Sequence, residues 1–149
     1  MRVALVTMET NRHVPTPGNR RFERLAYQLA QAGHDVTVFC AQWWEGEHST
    51  FEVGGIKYQR VTTQPSPSSF ALRLPWVLAR HNPDLIHAQA SPPAQVVGAS
   101  IGGTLARAPL AVEWFGEAEL DGGDRTTRWA ATRPELVITP SEMIRTRVR

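Results

Sequence analysis

The chain has 149 residues, enough for one domain with an ordinary buried core and too few for two. Hydrophobic residues make up 42% and charged residues 20%, the balance of a soluble globular domain. A net charge of only +2 excludes a strongly basic nucleic-acid binder, so no nucleic-acid partner is expected.

Val3 to Met8 is a continuous apolar run of the kind buried on both faces of a parallel sheet. Glu9 to Gly18 is polar, holds Pro15 and Pro17, and is predicted to be a loop. From Asn19 the spacing of Phe22, Leu25, Ala26, Leu29 and Ala32 predicts a helix that Gly33 ends. Asp35 to Ala41 is a second buried strand. Phe51–Val53 and Ile56–Val61 flank Gly54-Gly55, a two-residue hairpin signal. Thr62 to Ser69 is predicted to be a loop, and Phe70 to His81 a helix that Pro75 either kinks or makes start late.

Leu85 to Ala88 is the next strand. Ser91-Pro92-Pro93 opens a helix of small residues running to about Arg107, in which Gly98, Gly102 and Gly103 allow a close approach to the sheet at a cost of about 1 kcal/mol each. Leu110 to Trp114 is a strand, Gly116 to Asp124 an acidic loop, and Arg125 to Thr132 a short helix. Glu135 to Thr139 is the last strand, and Ser141 caps a final helix that has only begun at Arg149. Strands alternating with helices at this spacing predict a single Rossmann-like α/β domain, with a parallel sheet, helices on both faces and one β-hairpin. Ligands of such sheets bind at the carboxyl ends of the strands, so the loops after Met8, Ala41, Ala88, Trp114 and Thr139 are the ones to watch.

Several residues on those loops carry chemistry. Gly18 and Asn19 precede a helix that begins with Arg20 and Arg21, where backbone N–H groups, the helix dipole and guanidinium forks attract anions; an ordinary turn is the plainer reading. The loop lacks the spaced glycines of a dinucleotide fingerprint and the lysine of a P-loop. Trp43 and Trp44 cannot both point into one core, which leaves at least one near the ligand edge to stack on a sugar or meet a membrane surface; packing beneath the hairpin is the alternative. The helix around Phe70 has two apolar sides: one face must cover the sheet, and the other either packs inside or meets a membrane or a partner domain. His87 is a hydrogen-bonded core residue or a catalyst. Glu117, after Phe115 and Gly116, is a base or hydroxyl-orienting carboxylate, or part of a solvated acidic loop. No spacing supports a metal site.

Arginine supplies nearly all the positive charge, Lys57 being the only lysine. Cys40 is the only cysteine, so an internal disulfide is excluded and an intracellular setting is expected. Val3 to Val6 is too short for a signal-peptide core or a membrane span. A cytoplasmic protein is the expectation, with peripheral contact to the inner membrane face left open.

In this order, the pieces resemble the retaining glycosyltransferases of group 1 (family four), which have the GT-B fold. Arg24-Leu25-Ala26, Leu29-Ala30 and Ala32-Gly33-His34-Asp35-Val36-Thr37-Val38 are similar to that family's helix and second-strand signature. Pro83-Asp84-Leu85-Ile86-His87-Ala88 and Glu135 to Glu142 resemble two further strand motifs. There are departures: Gly18-Asn19 stands where two glycines are usual, Phe115 where many members have a histidine, and Gln89 in place of a second histidine.

The resemblance implies that residues 1–149 are the N-terminal, acceptor-side domain of a two-domain enzyme. A C-terminal domain, absent from this chain, would bind the nucleotide-sugar donor; this chain alone would be inactive, and no bound cofactor or metal is needed. The acceptor would be a glycan or lipid-linked sugar. The substrate site would comprise Gly18, Asn19, Arg20, Trp43, Trp44, Phe115, Gly116 and Ser141, with Gly18 and Asn19 meeting the donor across the cleft, Trp43, Trp44 and Glu117 contacting the acceptor, and His87 and Glu117 as catalytic candidates. A stand-alone acceptor- or membrane-binding subunit of a split transferase, and a non-catalytic Rossmann-like binding domain, are the rival readings.

Overall fold

The computed structural model describes residues 1–89, 93–113 and 136–138. In chain order they form β1 (Arg2–Val6), α1 (Pro17–Gln31), β2 (Asp35–Ala41), β3 (Thr50–Val53), β4 (Ile56–Thr62), α2 (Pro67–His81), β5 (Leu85–Gln89), α3 (Pro93–Ala106), β6 (Leu110–Glu113) and β7 (Leu136–Ile138). One sheet of 7 strands holds them in the order β3-β4-β2-β1-β5-β6-β7. All neighbours run parallel except β3, which is antiparallel to β4 at the edge.

The apolar runs are continuous because both faces of the sheet are covered. Successive residues of a strand point to opposite faces. Val3 and Leu5 of β1, with Val36, Val38 and Cys40 of β2, pack with Phe22 and Ala26 of α1. Ala4, Val6 and Phe39 pack on the other side with Phe70, Leu74 and Leu78 of α2 and Val96 and Ala99 of α3. Each large side chain buried in these layers contributes about 1.5–3 kcal/mol. The result is the expected Rossmann-like α/β domain. Its chain leaves β1 toward β2 on one side and returns through β5 on the other, so the crevice of the topological switch opens between the carboxyl ends of β1 and β5.

Local chemistry sets the ends of the elements. Thr16 caps α1, its hydroxyl accepting the Asn19 N–H at 3.1 Å, and Pro17 fills the first helical position, so the helix starts two residues before the expected Asn19. Gly33, at φ 93°, ends it as expected. Gly54 and Gly55 make the hairpin turn with φ of 62° and 79°. α2 begins at Pro67, inside the segment expected to be a loop, because a proline in the first turn forfeits no helical hydrogen bond. Asn82 closes it in the left-handed conformation, donating its N–H to Leu78 O at 3.1 Å.

Of the two alternatives for Pro75 the late start does not occur, since α2 runs through it with the proline buried. One expectation about α3 needs correction. The glycines of α3 mostly do not seat the helix on the sheet. A Cβ at Gly98 would lie 3.0 Å from the Ala71 carbonyl oxygen, and one at Gly102 would lie 2.8 Å from Leu78 Cδ1 and 3.3 Å from Pro75 Cα. Gly98 and Gly102, one turn apart, bring α3 against α2; only Gly103 turns toward the sheet, with Ile86 Cδ1 at 3.5 Å. The Ala71 carbonyl is the one that Pro75 deprives of its helical donor, and it is the group that abuts Gly98. The predicted helices at Arg125–Thr132 and from Ser141 lie outside the described residues, and β6 is described only to Glu113.

Candidate functional site

At the switch point a set of hydrogen bonds ties three elements together. β1 ends at Val6, yet the chain stays in register as Thr7 N–H donates to Phe39 O at 3.1 Å and Ala41 N–H to Met8 O at 3.0 Å. The Thr7 hydroxyl lies 2.8 Å from the Glu9 carbonyl and 2.9 Å from Gln89 Oε1, sharing its proton between them. Gln89 Nε2 donates to the Gly18 carbonyl at 3.3 Å. Gln95, fully buried in α3, accepts the Met8 N–H at 2.8 Å and donates its amide to the Gln89 carbonyl. Two glutamine side chains therefore hold the loop after β1 and the start of α1 in fixed positions against β5.

The loop itself folds over α1. The Thr10 N–H donates to His13 Nδ1 at 2.9 Å, and burial holds His13 below the ordinary histidine range against the opposing pull of Glu9. Asn11 Nδ2 donates to Glu23 Oε2 at 2.7 Å, and Arg12 Nε lies 3.8 Å from the other oxygen of the same carboxylate. The Arg12 guanidinium sits over the Trp43 ring, 5.2 Å from its centroid, and so links this loop to the one after β2. Thr10, Asn11, Arg12, Asn19, Glu23 and Tyr58 line a small crevice of about 10 Å³, room for roughly one water as it stands. Burial pushes the Tyr58 phenol up to about 12, so it stays protonated at neutral pH. Asn11 Oδ1 and Trp43 Nε1 are buried with no hydrogen-bond partner among the described residues. Leaving such groups unmet costs about 1–3 kcal/mol each, which makes them natural contacts for a polar ligand or an ordered water.

The residues singled out from the sequence separate into groups. Gly18, Asn19 and Arg20 form the first turn of α1 at the carboxyl edge. Of the donors expected there, Pro17 has none, and the N–H groups of Asn19 and Arg20 are taken by Thr16, the latter at 2.9 Å from its carbonyl. Only the Gly18 N–H is left without an acceptor among the described residues. The Asn19 side chain donates to Val14 O at 2.8 Å, and the Arg20 side chain is exposed.

The two tryptophans share one cluster after all, meeting edge to face at 5.6 Å: Trp44 is a buried member and Trp43 packs against it from a half-buried position. Trp44 Nε1 donates to His48 O at 2.8 Å, and Trp43 wedges against Phe51 and Tyr58. The T-shaped geometry lets adjacent residues pack on one core. His87 lies in β5 two residues before its end, buried, with its ring 5.5 Å from Phe22. Phe115, Gly116, Glu117 and Ser141 lie outside the described residues.

Gln95, Glu23 and Asn11 escaped the sequence reading. Gln95 carries a faint signal, an amide among the small and apolar residues of its helix. Glu23 and Asn11 have none, because each looks like an ordinary surface residue until the loop is folded back.

Comparison with known proteins gives the family and relatives of the fold. The family described as a glycosyl transferase 4-like domain matches residues 18–149. Among solved structures, the sucrose-phosphate synthase of Thermosynechococcus elongatus superimposes with a TM-score of 0.70 at 13% sequence identity. The match covers 97% of this chain and 43% of that one, so the chain spans less than half the length of the synthase, and at this identity the likeness is one of fold. No curated protein sequence matches the chain.

Proposed function

This chain belongs to the glycosyl transferase 4-like family, and on that premise we propose that it is the acceptor-side half of a glycosyltransferase. A sugar passes from a nucleotide-sugar to a glycan or lipid-linked acceptor, with retention of configuration. The donor is held mainly by a second, C-terminal domain or subunit, which closes over the carboxyl edge of this sheet, and the reaction takes no bound cofactor.

The observation that carries the reading is the crevice between α1 and the loop after β1, floored by Val38 and Tyr58. Its lining combines an arginine, a carboxylate and two asparagines, and the arginine rests on the Trp43 ring; such side chains grip hydroxyl groups and sugar faces. The Gly18 N–H and the exposed Arg20 side chain belong to the same first turn of α1 and suit a phosphate or sugar oxygen arriving from the donor side. Trp43 and Arg12 contact the acceptor, and Glu117, Phe115, Gly116 and Ser141 complete its site from the strands beyond β5. His87 shapes the floor beneath Phe22.

The test uses the full-length protein with its nucleotide-sugar and acceptor. Arg12→Ala and Glu117→Gln are each expected to lower kcat/KM for the acceptor by about tenfold or more, the loss of one charge-assisted hydrogen bond, while donor hydrolysis is unchanged. Unaltered acceptor kinetics in both variants would refute the acceptor-side assignment.

A further inference from the structure

The outer surface of the α2–α3 pair is apolar where a covered sheet has no need of it. Leu72 is 74% exposed and Trp76 66% exposed on α2; Ile101 and Leu105 are about half exposed on α3. The helices pack side by side and run the same way, since Gly98 meets Ala71 and Gly102 meets Leu78. That register sets the outward residues of both helices on the same outer side of the pair. Such a patch on a folded domain marks a surface that something covers.

Charge identifies what covers it. Neither helix contains an acidic residue, and between Glu52 and Glu113 the only carboxylate is Asp84. Asp84 is engaged elsewhere, accepting the Arg2 N–H at 2.8 Å. Arg73 and Arg80 flank Trp76 and line a groove with Arg60 and Val77. Among the described residues no carboxylate forms an ion pair with Arg73 or Arg80. A second copy of the same face would bring arginines against arginines. An anionic bilayer matches both properties at once: guanidinium groups pair with lipid phosphates while indole and aliphatic side chains enter the interface.

We propose that the protein docks on anionic phospholipid membranes through the outer face of α2 and α3, with Leu72, Trp76, Ile101 and Leu105 inserted and Arg73 and Arg80 at the phosphates. No helix among the described residues is long and apolar enough to cross a membrane, so the contact is peripheral. The docking surface lies away from the crevice, and its readout needs no sugar transfer, so it stands or falls independently of the acceptor-side reading.

The experiment is flotation of the full-length protein with vesicles of phosphatidylcholine alone or with phosphatidylglycerol, at low and high salt. Binding is expected to the mixed vesicles only and to weaken with salt. Arg73→Glu with Arg80→Glu should reduce it at least about tenfold. Leu72→Ser with Trp76→Ser should reduce it similarly, with the thermal transition of each variant checked to confirm folding. Absence of binding to the mixed vesicles, equal binding to neutral ones, or variants that bind like the parent would overturn the proposal. So would a wild-type dimer that the Leu72→Ser, Trp76→Ser variant dissolves, since this face would then be a protein interface.

Discussion

At the scale of single residues, Gln95 is the buried amide that joins α3 to the backbone after β1 and at the end of β5. It is fully buried, and its amide is spent on the Met8 N–H and the Gln89 carbonyl, two backbone groups at the switch point. Gln95→Leu keeps the volume and strands both partners. It is expected to lower unfolding free energy by about 2–4 kcal/mol in urea titrations, the sum of two unmet buried groups. A loss below about 1 kcal/mol would mean that the loop after β1 relaxes to find other partners. Gln89 shows how a departure from a family pattern can be structural: where a second histidine is usual, its amide joins Thr7 to the first turn of α1.

At the scale of elements, the α2–α3 contact is built for closeness. An exposed helical glycine replaced by alanine gains up to about 1 kcal/mol from propensity. At Gly102 the new methyl would sit 2.8 Å from Leu78 Cδ1 and 3.0 Å from its Cβ, so the helices must part. Gly102→Ala is therefore expected to destabilise by about 1–3 kcal/mol, overpacking outweighing propensity. The check is a denaturation midpoint compared with Ser100→Ala on the same helix, which should change little. If Gly102→Ala raised the midpoint, the close approach would carry no energetic weight.

At the scale of the whole molecule, two histidines couple stability to pH. Burial holds His13 and His81 below the ordinary value of 6.5, each against the pull of a carboxylate, Glu9 and Asp35 respectively. The fold favours the neutral rings, so the unfolded chain binds more protons in that range and stability rises with pH. The contribution is complete above about pH 6.5 and is lost as pH falls through the depressed folded values. The melting temperature is expected to be level from about pH 8 to 7 and to fall as the pH drops below about 6.5. A His13→Gln, His81→Gln variant should flatten that decline. Parallel curves for variant and parent would assign the decline to other groups.

Much of this was legible along the chain. Apolar runs of strand length, helical spacing from Phe22 onward, paired glycines in the hairpin and Gly33 after α1 specify the elements, because each depends on period, turn geometry or a single φ. Alternation of strand and helix specifies a parallel sheet with both faces covered. What had to wait for the tertiary structure is everything that depends on two distant segments meeting. The start of α1 engages its own cap, so most of the donors expected for a ligand are spent on Thr16. Trp43 and Trp44 share a core because ring geometry, not sequence adjacency, decides what packs. Gly98 and Gly102 face α2, where Ala71, Pro75 and Leu78 lie, a fact of helix rotation that spacing alone leaves open. Composition and periodicity are local and survive in the sequence; partners, burial and the direction of a hydrogen bond exist only once the chain has closed on itself.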